Sequence, residues 1–160
     1  MRLGLAIEEL HRSEHHLARA LLAASDRHKA DHEVFHVARD IAGWSSRHVT
    51  ELARIGTDHG VELDPEPPHE PGLLERVQQA TADLLGRRPE PGLLLLADLR
   101  HVHRVAAGVS LDWELLAQAA QGARKRDLLE LAERCHPDTL RQMRWANAKL
   151  KESATQALTS

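Results

Sequence analysis

Tyrosine is absent from this chain, phenylalanine occurs once and cysteine once. Without aromatic pairs there is no stacking platform for single-stranded nucleic acid, and with few Val and Ile residues a β-sandwich core is excluded as well. A lone Cys135 rules out an intramolecular disulfide framework and fits a reducing compartment. The longest apolar run, 93–97, is far shorter than the roughly 20 residues that span a bilayer. Charge enters by residue 8, too early for the apolar region of a signal peptide, so a soluble cytoplasmic protein is expected. The formal net charge of −3 mixes both signs along the chain, which disfavours nucleic acid and membrane as partners. No phosphate-binding glycine loop, serine-nucleophile motif or Cys-x-x-Cys is present, so no nucleotide or organic cofactor is indicated.

What is abundant is helix-forming: Ala, Leu, Glu and Arg dominate. At 160 residues the chain suits one domain, 1–160. Apolar periodicity predicts helix 1 at about 2–24 on Leu3, Ile7, Leu10, Glu14, Leu17, Leu21 and Ala24. Asp31 is a suitable N-cap for helix 2, about 31–59, on Val34, Ala38, Ile41, Ser45, His48, Leu52 and Ile55, closed by Gly60. A Pro-rich stretch, 61–72, precedes a short amphipathic helix at about 73–85. Helix 3, about 93–120, uses Leu95, Leu99, Val102, Ala106, Val109, Trp113, Leu116 and Ala120. Helix 4, about 125–157, is read on Leu129, Glu133, His136, Leu140, Met143, Asn147, Leu150 and Ala154.

Four ionisable residues interrupt these stripes: Glu14, His48, Glu133 and His136. Glu133 and His136, at i and i+3, share one helix face. The connection between helices 2 and 3 is about thirty residues, against about two to eight between bundle neighbours, and can carry the chain back along the bundle. With helix 3 then parallel to helix 2, the four polar residues lie within about one turn, roughly 5 Å, of a common level. A simple up-and-down bundle would instead separate His48 from His136 by roughly 10 Å.

This pattern resembles the ferritin-like di-iron or di-manganese carboxylate bundles, in which helices 1 and 3 each supply a Glu and helices 2 and 4 each supply Glu-x-x-His. Glu14 matches the helix 1 acid, His48 the helix 2 histidine, and Glu133 with His136 the helix 4 pair. The resemblance implies an all-α, ferritin-like four-helix bundle, with a long crossover containing a short extra helix. Ser45 stands where the bridging Glu of helix 2 belongs, and helix 3 offers only Glu114, off its main stripe. Pro137 removes a backbone donor directly after His136 and is expected to kink or restart the helix. The expected site is accordingly a one-metal centre for Fe, Mn or Zn, with Glu14, His48, Glu133 and His136 as ligands and Glu114 as a fifth.

The competing expectation is a metal-free bundle acting through self-association as a homo-oligomer or through another protein. Its polar groups would then form a buried network, Glu14 with His48 and Glu133 with His136, that fixes register. Trp44, Trp113 and Trp145 read as core or interface anchors. His11 with His15, and His28, His32 and His36, form i, i+4 ladders of the kind that bind Zn, Ni or Cu on a helix surface, or that sense pH. Cys135 and His136 point about 100° apart on a helix, a poor nucleophile–base pair.

Overall fold

The computed structural model describes residues 2–66 and 90–160. Among the described residues there are four helices and no strand: α1 (Leu3–Arg27), α2 (His32–Asp58), α3 (Pro91–Gly122) and α4 (Arg126–Thr159). The short helix expected at about 73–85 lies outside the described residues.

Local chemistry accounts for the boundaries. The Asp31 carboxylate accepts the Val34 N–H at 3.1 Å and caps α2. Gly60, at φ 76°, takes the left-handed conformation beyond the end of α2. Pro91 opens α3, where its missing N–H is no loss. The turn into α4 places Arg124 at φ 57°, which costs a non-glycine residue energy. Contrary to the expectation of a break, α4 runs through Pro137 as one helix. Tertiary packing on both sides of the proline outweighs the hydrogen bond that the Glu133 carbonyl loses.

Helix directions follow from side-chain pairs. Glu14 meets His48, and Ser25 meets Phe35, so α1 and α2 are antiparallel. Glu14 meets Trp113 and Arg27 meets Asp98, so α1 and α3 are also antiparallel. His48 meets Asp138, and Lys149 meets Glu33, so α2 and α4 are antiparallel. Helices α2 and α3 therefore run the same way, and the end of α2 and the start of α3 lie at opposite ends of the bundle. Residues 61–66 begin the return. Val61 passes so close to Gly4 that a Cβ there would meet its Cγ2 at 2.7 Å. Asp64 then accepts from His11, and Pro65 from Thr50.

The stripes read for α1 and α2 are buried throughout, and that of α3 is buried from Leu99 onward. The stripe read for α4 is displaced by one residue. Its inner face is Leu128, Leu131, Ala132, Cys135, Thr139, Gln142, Ala146 and Lys149, while Glu133 and Leu140 are exposed. The reason lies in the neighbours. Helices α1–α2, α1–α3 and α3–α4 pack closely, but α2 and α4 meet along a looser seam bridged by long polar side chains. Across it Gln142 donates to Ser45 at 2.9 Å, Arg134 pairs with Glu51 at 3.6 Å, and Lys149 with Glu33 at 2.9 Å. A face that is half polar by design is invisible to a search for apolar period.

Candidate functional site

The polar centre is built on the fully buried Glu14 of α1. Its Oε1 accepts two hydrogen bonds, from His48 Nδ1 at 2.8 Å and from the Trp113 indole N–H at 2.9 Å. The other ring nitrogen of His48 donates to Asp138 Oδ2 at 3.1 Å. An imidazole that donates to carboxylates from both nitrogens carries both protons. Burial alone would lower the pKa of His48, but hydrogen bonding to Cys135 and Glu14, with the charge of Glu14, outweighs it and pushes it up to about 10. Cys135 is itself held as a thiol, its pKa raised by burial, and donates to Glu51 at 3.4 Å. The Trp113 ring stands edge-on to His48, centroids 5.8 Å apart, and seals the pair from solvent.

Of the five residues expected to meet, the structure brings together Glu14 and His48. Glu133 is exposed because the inner face of α4 lies one residue, about 100°, away from it. Glu114 is exposed beside Trp113, on the outer side of α3. His136 is half-buried between α3 and α4, where its Nε2 meets Ser110 Oγ at 2.8 Å. The pairing of Glu133 with His136 expected for a structural network is replaced by this Ser110 contact. Among the described residues, no group of three or more His, Cys, Asp or Glu side chains is arranged to hold a metal ion.

Sequence reasoning missed Asp138 and the role of Trp113. Both carried a signal. A buried histidine with one Glu partner leaves its second nitrogen in need of an acceptor, and Asp138 lies one turn beyond Cys135 on the same side of α4. Trp113 lies at the level of Glu14, and a buried indole N–H seeks an acceptor. One polar atom of the centre has no partner: Glu14 Oε2 is buried without a hydrogen bond among the described residues.

A second cluster sits where α1 ends. Arg27 grips Asp98 through both carboxylate oxygens, at 2.9 and 2.6 Å, and His28 Nε2 reaches Asp98 Oδ2 at 2.7 Å. Burial works against the Asp98 charge, but the bonds from His28 and Arg27 prevail and lower its pKa. This clamp ties α1 to the first turns of α3.

A scan against protein-family models finds no match to this chain, and neither the curated proteins nor the solved structures give a significant match. No helix among the described residues is long and apolar enough to cross a membrane.

Proposed function

We propose that this chain is a helical-bundle protein that acts by association, with a second copy of itself docking on the outer face of α3. On this reading the Glu14–His48–Asp138 centre is structural and fixes the register of the bundle. The observation that carries the reading is an apolar strip on a face that no other described helix covers. Leu111 and Leu115 are 60% and 66% exposed, one turn apart, beside an exposed Gly108 whose Cβ position is empty for 4 Å. A mid-helix glycine costs about 1 kcal/mol relative to alanine, and no described residue packs there to offset it. The same face is self-complementary in charge. Arg100 and Arg104 precede the strip and Glu114 follows it, all exposed. Two α3 helices laid antiparallel about a two-fold axis near Val109 bring Arg104 of each level with Glu114 of the other, and Leu111 of each onto the small side chains around Gly108.

Sedimentation equilibrium tests this directly. A dimer that becomes a monomer in Leu111→Arg, with helicity and melting temperature unchanged, supports it. A wild-type chain that stays monomeric at every concentration, or a Leu111→Arg variant that still dimerises, overturns it.

A second reading is a ferritin-like bundle that binds Fe, Mn or Zn in its core, and one observation favours it: the unpartnered, buried Oε2 of Glu14 is a free carboxylate donor. Glu14 and His48 would hold the ion, with Asp138 taking the part expected of Glu133, and the ion would supply Lewis acidity or, for Fe and Mn, redox chemistry. The donor set fits poorly, because His48 would have to shed a proton held with a pKa of about 10. About one ion per chain in untagged protein, lost in Glu14→Gln, would decide for it. Metal-free protein after loading with each ion decides against it.

A further inference from the structure

Away from the core centre and the Arg27–Asp98 clamp, α1 carries a further cluster of titratable groups that the association of α3 does not use. Glu8, His11, Arg12, His15, His16 and Arg19 line a pocket of about 340 Å³, closed on one side by Leu63. His11 and His15, one turn apart, stack edge to face with ring centres 4.8 Å apart. Two imidazoles on one ion have metal–nitrogen bonds of about 2.0–2.1 Å, with each ring centre roughly 1 Å further back, so near-tetrahedral ligation sets the centres about 5 Å apart.

We infer that His11 and His15 form a two-imidazole site for a first-row transition ion, Zn2+ or Cu2+, on the side of α1 that faces the 61–66 segment. Three features support the ion over other ligands. His11 is buried, and its Nε2–H donates to the Asp64 carbonyl at 2.8 Å, which fixes the tautomer and leaves Nδ1 with its lone pair. A carbonyl behind one nitrogen is the usual support for an imidazole that binds metal through the other. His15 is half-buried, and that burial lowers its pKa and favours the neutral ring that a metal binds. The groups around it are mixed in sign: Glu8 and Asp64 against Arg12, Arg19 and His16, with Arg12 already paired to Glu9 and Glu8. That balance suits a cation held by neutral nitrogens better than an anion held by free positive charge. No third His, Cys, Asp or Glu among the described residues completes a closed shell, so water fills the remaining positions. The His32–His36 pair offers a built-in comparison. It has the same spacing, but its ring centres are 6.4 Å apart and His32 is exposed.

The test titrates Zn2+ into the untagged full chain by calorimetry at pH 7.5, and follows Cu2+ by electron paramagnetic resonance. The expected result is one ion per chain with two imidazole nitrogens in the copper spectrum. Affinity should fall at least about tenfold in His15→Gln and little in His32→Gln. His15→Gln tests the site without removing the His11–Asp64 bond. Equal affinity in His15→Gln, a single-nitrogen copper spectrum, or loss of the ion in His32→Gln instead would overturn the site. Calorimetric binding of inorganic phosphate without metal, abolished by His15→Gln, would likewise overturn it by showing an anion pocket.

Discussion

At the scale of single residues, the centre turns on one proton. His48 has an ordinary pKa of 6.5 and is pushed up to about 10 in the fold. A group raised on folding contributes stability that is complete below its unfolded pKa and is lost as pH rises through the folded value. Urea unfolding from pH 6.5 to 10 should therefore show declining stability, and His48→Gln should flatten that decline. An unchanged slope in the variant would mean that the proton resides elsewhere. Trp113→Phe keeps the ring and removes the N–H, leaving Glu14 a single hydrogen-bond donor. We expect it to cost about 1–3 kcal/mol, measured by the same denaturation. Glu14 and His48 were legible in the sequence because each is the one ionisable residue on a stripe that is otherwise mostly apolar. Trp113 and Asp138 were not, since an indole in a core reads as packing and Asp138 lies off the stripe that periodicity selected.

At the scale of elements, α1, α2 and α3 were legible to within a few residues at each end, and every stripe position read for them except Leu95 is buried. The face of α4 was not. Its Leu129, Leu140, Met143 and Leu150 form a periodic apolar row, yet the helix turns Cys135, Thr139, Gln142 and Lys149 inward to meet α2. Periodicity ranks residues by hydrophobicity and cannot anticipate that Gln142 will find the Ile41 carbonyl at 2.8 Å, or Lys149 an acidic pair. The two registers separate cleanly by truncation. Leu131→Ala, at a fully buried position, should cost about 2–5 kcal/mol. Leu140→Ala, 39% exposed, should stay within about 1 kcal/mol. Equal costs would return Leu140 to the core. Pro137 gives the same helix a second test. Replacing it with alanine restores an N–H to the Glu133 carbonyl, and thermal melting should show stabilisation of up to about 3 kcal/mol.

At the scale of the whole molecule, the two hairpins are held together unequally. On one side α1 and α3 pack closely, with the Arg27–Asp98 clamp at one end. On the other, α2 and α4 are joined through His59–Asp127, Arg134–Glu51 and Lys149–Glu33, several of them partly exposed. Raising ionic strength from about 0.01 to 1 M should screen the exposed members of this seam and lower stability, and Lys149→Met should blunt the effect. Salt-independent unfolding would assign the seam no electrostatic weight. The relative direction of the hairpins was read from the length of the connection together with the common level of the polar residues, since a return of the chain needs residues to span the bundle. The Glu14–His48 pair has a kinetic consequence as well. Both partners belong to the first hairpin, whose contacts are local and form early, whereas Trp113 and Asp138 arrive only with the second. Until then the ion pair faces water. A second hairpin that arrives one turn out of step would cover it without supplying either partner, and would stall there. Selection of the correct partner register thus falls at the final docking step, whose rate should change when His48 loses its proton.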